Sequence, residues 1–220
     1  MKLELKKRII TSIILFTLIV LMFFYTFILF ISLIIITIIA WIEFYALISK
    51  IFKKSNSKHV VLRFILKSIS LLYLFCLLSL ILIIKSSYVE LEIIIIYSIL
   101  ISIMTDIGGL IVGRYFKGIK LTKISPNKTL SGAIGSFVFS LFLIPFFIKY
   151  FLAYNFFTLL IVTLIISLSS QIGDLYISFL KRKAKVKDTS DLLPGHGGIL
   201  DRIDGMILSI PIGLIMFNYF

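Results

Sequence analysis

The sequence predicts an all-α fold, a polytopic integral membrane bundle of about seven transmembrane helices with a cytoplasmic N-terminus. Its 220 residues are 60% hydrophobic and 15% charged, whereas a soluble domain is about 45–50% apolar and about 25% charged. Long apolar runs separate short basic segments along the chain. This composition excludes a soluble enzyme and a disordered protein, and the single cysteine, Cys76, excludes a disulfide scaffold and a zinc finger.

Each predicted span is an apolar run near the length of about 20 residues that crosses a bilayer core of about 30 Å. The run from Ile9 to Leu47 is too long for one span, and we interpret it as two helices that turn near Tyr25–Phe27. The runs lack the alternation of an outer-membrane barrel. The five further spans are predicted at Phe64–Ile84, Leu91–Val112, Gly132–Phe151, Thr158–Phe179 and Ile203–Tyr219.

Basic residues determine the predicted orientation. With the N-terminus inside, 21 of the 23 Lys and Arg residues lie on the cytoplasmic side, and only Lys85 and Lys149 lie outside. We therefore interpret the net charge of +13 as cytoplasmic loops that meet anionic lipid, with no nucleic acid as partner. The basic N-terminus is interpreted as a retained first helix, because no small-x-small cleavage site follows it. We expect a multi-pass protein of a bacterial inner membrane, with its active site on the cytoplasmic side.

Two regions are predicted within one membrane domain: N-terminal transmembrane helices at 1–104, and a catalytic region with two cytoplasmic loops at 105–220. Polar residues are densest from Gln171 to Asp204. There, Asp174 and Ser178 share a helix face, and the glycines of Pro194–Gly198 permit close backbone approach. Carboxylates, cations and a glycine-rich turn are the usual set for a polyphosphate with Mg²⁺. A basic segment lying on anionic lipid is the alternative, but it leaves the acids and glycines unexplained.

A second polar segment runs from Thr105 to Gly132. It places hydroxyl, amide and ammonium donors just before a predicted helix, and a helix N-terminus favours anions. A plain turn with a helix cap remains the alternative. The Gly-x₄-Gly-Lys-Ser/Thr pattern of a Walker loop is absent from the sequence.

The last loop resembles the signature of the phosphatidate cytidylyltransferase (CDP-diacylglycerol synthase) family. That pattern is Ser-x-x-Lys-Arg, Lys-Asp, Pro-x-His-Gly-Gly and Asp-Arg-x-Asp, and the likeness extends from about Thr105 to the C-terminus. Three departures stand out: Leu130-Ser131 replaces a frequent Trp-Glu, Gly205 replaces a frequent Ser, and the chain is shorter than many members. The signature residues are Ser178, Lys181, Arg182, Lys187, Asp188, Pro194, His196, Gly197, Gly198, Asp201, Arg202 and Asp204.

The resemblance implies a reaction of CTP with phosphatidic acid that gives CDP-diacylglycerol and pyrophosphate. It implies Mg²⁺ held by Asp174 and Asp201, with Asp204 as an alternate ligand. Membrane lipids are further partners, and a homodimer is left open. The implied catalytic residues are Asp174, Asp201, Lys181, Arg182, Lys187, Asp188 and His196. The implied substrate-binding residues are Asp106, Arg114, Ser125, Lys128, Thr129, Ser178, Gly197, Gly198 and Arg202.

Two roles remain open for His196: a general acid toward pyrophosphate, or a loop-structuring or phosphate-bonding residue, which we favour. Two other functions also remain open. A CTP-dependent kinase of a polyprenol-type lipid would transfer the γ-phosphate, and the fit of the signature argues against it. A secondary transporter would use Asp106 and Asp174 as ion sites, but the sequence has no internal repeat.

Overall fold

The computed structural model describes residues 2–52, 57–87, 89–122, 125 and 128–220, so Pro126 of the second polar segment lies outside the described residues. The predicted all-α class is confirmed. Sheet-type pairing in the described part is limited to two isolated bridges, Lys120 with Thr129 and Leu193 with Gly197. The helices are α1 Lys2–Phe24, α2 Thr26–Ile51, α3 Ser57–Ser87, α4 Val89–Phe116, α5 Leu130–Leu141, α6 Ile144–Phe147, α7 Phe156–Lys183, α8 Leu200–Ile203 and α9 Met206–Tyr219.

Within the described residues, five helical stretches are long and apolar enough to cross a membrane, which agrees with a polytopic bundle. The predicted number of seven is not confirmed. Ile9–Met22 is a shorter apolar stretch. The last predicted span is the 14-residue α9, which at about 1.5 Å per residue is about 21 Å long. The five stretches are Thr26–Ile51, Lys58–Lys85, Leu91–Phe116, Leu130–Tyr150 and Phe156–Lys183.

The predicted span Gly132–Phe151 is interrupted. Helix α5 ends at Leu141, and α6 begins at Ile144 with Pro145 in its first turn. Proline fixes its own backbone angle and lacks an N–H donor, so it is tolerated at a helix start and not in a helix interior. A 3₁₀ turn at Ile148–Tyr150 completes the stretch.

The chain forms two compact units, and each unit combines two stretches that are separate in the sequence. The first contains residues 1–82 and 180–202, and the second contains residues 83–179 and 203–220. Helix α7 contributes residues to both units. The predicted regions 1–104 and 105–220 concern order along the chain, and they stay a prediction.

In the first unit, α1 and α2 fold back on each other. The helix breaks at Tyr25, whose backbone is extended, as the sequence predicts. Thr11 lies 14 residues before the break and Glu43 lies 18 residues after it, which is about 21 and 27 Å along the two helices. Both contact residues 194–200 of one short loop, so the two helices return to the same place.

In the second unit, glycines bring α4 and α5 into close contact. A Cβ at Gly108 would lie 2.5 Å from the carbonyl oxygen of Gly135, and one at Gly132 would lie 2.8 Å from that of Gly109. Small residues at an interface between membrane helices permit this approach. The glycine spacing therefore fixes where the start of α5 faces α4.

Buried hydroxyl pairs join α4 to α7 in the same unit. Ser102 bonds Ser170 at 2.8 Å, and Thr105 bonds Ser167 at 2.8 Å. Hydroxyl groups that bond to each other across helices gain hydrogen-bond partners, which lipid tails do not offer. These pairs hold the segment of α4 that leads into Asp106 beside the segment of α7 that leads into Asp174.

Candidate functional site

A cavity of about 600 Å³ lies in the second unit, among α4, α5, α7 and the loop before α5. Six residues that the sequence analysis placed at the site line it: Asp106, Arg114, Ser125, Lys128, Thr129 and Asp174. They come from three separate parts of the chain, and the fold brings them together. Its other lining residues are Thr105, Gly109, Leu110, Gly113, Leu121, Gly132, Ala133, Ser136, Gln171 and Leu175.

Backbone pairing holds the loop before α5 against the cavity. The Leu121 amide donates to the Lys128 carbonyl at 2.8 Å, and the Leu130 amide donates to the Ile119 carbonyl at 2.9 Å. Thr129 is the N-cap of α5 and accepts from the Gly132 amide at 3.1 Å, which is a standard role for threonine. The cap and the predicted ligand-facing donors thus occur in one segment.

Opposite charges meet inside the cavity. The Lys128 ammonium forms an ion pair with one oxygen of Asp174, and Ser178 donates to the other oxygen at 3.2 Å. Both ionic side chains keep about a quarter of their surface exposed, 28% and 23%. The cavity can therefore offer either charge to a ligand that enters it.

The sequence analysis did not identify Gln171 as a site residue. It lines the cavity one helical turn before Asp174. Its side-chain nitrogen, Nε2, is buried, and among the described residues it has no hydrogen-bond partner. A buried donor without a partner is costly, so this amide is suited to an acceptor atom of a bound molecule. The sequence held a signal in the helical spacing of Gln171 and Asp174.

The second group of predicted residues is in the first unit, around Asp201. One oxygen of Asp201 accepts from Lys181 at 2.5 Å. The other accepts from the amides of Thr189 at 2.8 Å and Gly198 at 3.0 Å. Burial alone would raise the pKa of this carboxyl, but the bonds from Lys181 and the two amides outweigh it and lower the pKa. Asp201 is therefore a charged anchor of the surrounding chain.

Glycine occupies the two positions next to His196 for steric and conformational reasons. Gly195 and Gly197 have φ of 80° and 82°, a left-handed conformation that glycine adopts without strain. A Cβ at Gly197 would also lie 2.9 Å from an oxygen of Asp201. The glycine-rich turn thus lets carboxylates approach its backbone, whereas the sequence analysis assigned that approach to a substrate.

His196 holds this turn to α1 through its imidazole. Its Nδ1 lies 2.7 Å from the Thr11 hydroxyl, and its Nε2 lies 3.4 Å from that of Ser12. The Arg202 guanidinium donates to the His196 carbonyl at 2.6 Å. This geometry fits the loop-structuring role better than the acid role. Both roles of His196 stay predictions.

The remaining predicted residues differ in their surroundings. Arg182, Lys187 and Asp188 are exposed, and their assigned roles remain predictions. Asp204 is buried in the second unit, and one of its oxygens accepts from the Gly205 amide at 2.8 Å. Among the described residues, no three His, Cys, Asp or Glu side chains form a group that could hold a metal ion.

The sequence analysis did not place Glu43 at the site. The structure buries it to 4% exposure. Its two oxygens accept from the hydroxyls of Thr189 and Ser190 and from the amides of Ile199 and Leu200. Nothing in the sequence near Glu43 points to partners more than 140 residues away.

These features define a polytopic helical membrane protein with a mixed-charge cavity of ligand size. Comparison with known proteins identifies its family. A family model described as "Cytidylyltransferase family" matches residues 4–220. The chain therefore belongs to the cytidylyltransferase family.

Curated relatives include phosphatidate cytidylyltransferases of staphylococci. The protein of Staphylococcus haemolyticus is 44% identical, that of Staphylococcus aureus strain COL is 46% identical and that of Staphylococcus saprophyticus is 42% identical, each over 121 residues. Each match covers 54% of this chain and 46% of the relative. The chain thus spans about half the length of the curated relatives it matches.

Proposed function

We propose that this chain is a membrane-bound nucleotidyltransferase that converts CTP and phosphatidic acid into CDP-diacylglycerol and pyrophosphate. One observation carries the proposal: the cavity gathers Asp106, Arg114, Lys128 and Asp174, which the family resemblance assigned to the site. The family and the names of the staphylococcal relatives support the same reaction. Two cations and two carboxylates in one cavity suit a polyphosphate that carries its own metal.

In the proposed reaction, a phosphate oxygen of the lipid forms a bond to the α-phosphorus of CTP. The bond from that phosphorus to the oxygen that bridges it to the β-phosphorus breaks, and pyrophosphate leaves with the electron pair. A phosphate monoester is already ionised near neutral pH, so the nucleophile requires no strong base. The task of Arg114 and Lys128 is to bring anions together and stabilise their charge.

The cavity residues fit Mg²⁺ in donor chemistry. Asp106 and Asp174 supply carboxylates, and Ser125 and Thr129 supply hydroxyls, all of them hard oxygen ligands. Mg²⁺ commonly binds one or two carboxylates and takes its other ligands from phosphates and water. We propose that Asp174 holds such an ion, which would neutralise charge on the triphosphate. Asp201 would have to exchange Lys181 or amide partners to act as a ligand.

The resemblance also supports phosphate binding by the cations of the first unit: Lys181, Arg182, Lys187 and Arg202. We propose further that the protein lies in the cell inner membrane with these residues on the cytoplasmic side, where CTP is made. The distribution of Lys and Arg along the sequence supports this orientation. A homodimer remains open, and cross-linking in native membranes would detect it.

The test uses purified protein in detergent micelles that contain both phosphatidic acid and a polyprenol, with CTP labelled at either the α- or the γ-phosphorus. Cytidylyl transfer predicts labelled lipid from α-labelled CTP alone, and labelled pyrophosphate from γ-labelled CTP. A lipid kinase would give labelled lipid from γ-labelled CTP alone, and a transporter would label no lipid. Either result would overturn the proposal.

An Asp174→Asn variant tests whether the cavity carries the reaction. The amide is nearly isosteric with the carboxylate but is a poor Mg²⁺ ligand, so we expect turnover to be lost while the protein stays folded. Glu92→Gln makes the same change in a carboxylate that pairs with Lys85 outside the cavity, and it should keep activity. Near-normal turnover of Asp174→Asn would remove Asp174 from the site.

A further inference from the structure

Glu43 is a buried carboxylate that binds the loop carrying the family signature. It lies on α2, and we define the signature loop as residues 184–199. The Glu43 Oε1 atom accepts from the Ser190 hydroxyl at 2.6 Å and the Ile199 amide at 3.1 Å. Its Oε2 accepts from the Thr189 hydroxyl and the Leu200 amide, both at 2.8 Å. One side chain therefore ties residues 189–190 and residues 199–200, the two ends of the stretch from 189 to 200, to α2.

The loop is shaped to admit this carboxylate. A Cβ at Gly198 would collide with both oxygens of Glu43 and with the Thr189 hydroxyl. Glycine at this position thus leaves room for a side chain from α2, within the first unit. The second glycine of the His-Gly-Gly motif has a reason that does not require a substrate.

A single hydroxyl connects Glu43 to Asp201. The Thr189 Oγ1 atom lies 2.8 Å from an oxygen of Glu43 and 2.9 Å from an oxygen of Asp201. Thr189 is itself buried, at 6% exposure. The Thr189 amide also donates to Asp201, so a shift of Thr189 would move the partners of Asp201.

We propose that Glu43 is a positioning residue for nucleotidyl transfer. It holds the signature loop through Thr189, Ser190 and the amides of Ile199 and Leu200, and thereby keeps Asp201 and its partner Lys181 in place. This role rests on the proposed function. It also gives the N-terminal helices, which the signature resemblance does not cover, a part in the reaction.

Glutamine cannot replace this carboxylate. Each oxygen of Glu43 faces one backbone amide, either Ile199 or Leu200, and a backbone N–H can only donate. In Glu43→Gln, one of these amides would face the side-chain NH₂ group, which is also a donor. The loop would have to shift on that side, whereas a hydroxyl partner could rotate.

The experiment compares the parent protein with Glu43→Gln, measuring kcat and KM for CTP and phosphatidic acid. Glu92→Gln is the matched control, because it makes the same change in a pair with Lys85 that is far less buried. We expect kcat of Glu43→Gln to fall roughly 10²-fold, the effect of a displacement of about 1 Å at a reacting group. Both KM values should change much less, and the control should match the parent.

A spin label provides a readout that is independent of activity. Leu192 lies in the signature loop and is 52% exposed, so Leu192→Cys in a Cys76→Ser background can carry a nitroxide. We expect a more mobile spectrum in Glu43→Gln than in the parent or in Glu92→Gln. An unchanged spectrum would contradict anchoring, and a mobile spectrum with unchanged kcat would contradict the role in transfer.

Ser190→Ala tests the same contact in a milder way if Glu43→Gln does not fold. It removes one donor to Glu43, so it should mobilise the label and lower kcat less than Glu43→Gln does. If both variants fold, their effects on kcat should not add, since contacting residues are coupled. Additive effects would contradict the proposal. If the parent shows no transfer from α-labelled CTP, the proposed function fails, and the spin-label comparison still decides whether Glu43 anchors the loop.

Discussion

Removing the Lys181 ammonium tests the buried ion pair of the first unit. The Lys181 Nζ atom lies 2.5 Å from the Asp201 Oδ1 atom, and the two side chains are only 14% and 5% exposed. In Lys181→Met, the apolar stem is retained while the charge of Asp201 loses its counterion. We therefore expect a loss of stability, in addition to any loss of activity.

The size of this loss follows from the contacts that remain. Removing one partner of a buried pair typically costs about 3–5 kcal/mol. Asp201 keeps its donors from the amides of Thr189 and Gly198, so we expect the lower end, about 3 kcal/mol. Lys85→Met is the matched control, because its pair with Glu92 is 26% and 29% exposed, and it should cost less than about 1 kcal/mol.

The assay is reversible unfolding in mixed detergent micelles, followed by the fluorescence of the single tryptophan, Trp41. Trp41 lies on α2 two residues before Glu43, so it reports on the first unit. The cycle is completed by Asp201→Asn and the double variant, which should be little less stable than Lys181→Met alone. Equal losses for Lys181→Met and Lys85→Met, or additive losses in the cycle, would refute the reasoning.

Two further predictions concern the cavity and the orientation. Gln171→Leu should leave the stability of the protein unchanged or raise it, because the lost amide nitrogen has no described partner. The same variant should bind CTP or lipid more weakly. Melting curves check the stability and equilibrium binding checks the affinity, and unchanged binding would place Gln171 outside the site. In a Cys76→Ser background, Asp191→Cys should react with impermeant maleimide only after the cytoplasmic face is opened, whereas Asn155→Cys should react in intact cells. Both positions are exposed and can be labelled. Labelling of position 191 from outside would contradict the proposed topology.

The sequence predicted helices and their approximate places well, because apolar run length follows directly from bilayer thickness. It also located the break at Tyr25 within a run that contains no proline or glycine. It did not predict the interruption between α5 and α6, although Pro145 was visible, nor the short final helix. Hydropathy averages over a window, so it does not resolve local breaks.

The candidate site was predictable where spacing or family likeness carried information. Asp106, Lys128 and Asp174, which the family likeness assigned to the site, line one cavity, and their roles there stay predictions. Glu43 was missed because a single sequence gives no pairing between α2 and a loop more than 140 residues later. A lone glutamate in an apolar helix indicates a buried partner, but it does not identify which one.

Two of the three departures from the family pattern, at Gly205 and Ser131, have physical counterparts in this chain. A Cβ at Gly205 would collide with the Ser170 hydroxyl and lie 2.8 Å from that of Ser102, so the space of a serine side chain is already occupied. Ser131, in place of an acid, donates to the Lys117 carbonyl and so helps close the loop before α5. Both residue changes are therefore accommodated by local contacts, and Lys128 and Asp174 line the cavity in this chain.

The most direct test of the central claim is CTP binding to the cavity, measured by calorimetry with purified protein and a non-hydrolysable CTP analogue. Lys128→Ala removes the ammonium that pairs with Asp174 in the cavity, and Lys149→Ala removes an exposed ammonium from the 3₁₀ turn of the same unit. The account predicts that Lys128→Ala weakens binding at least about tenfold, a loss of about 1.4 kcal/mol, while Lys149→Ala binds like the parent. Equal affinity of all three proteins for the analogue would contradict the assignment of the cavity to CTP.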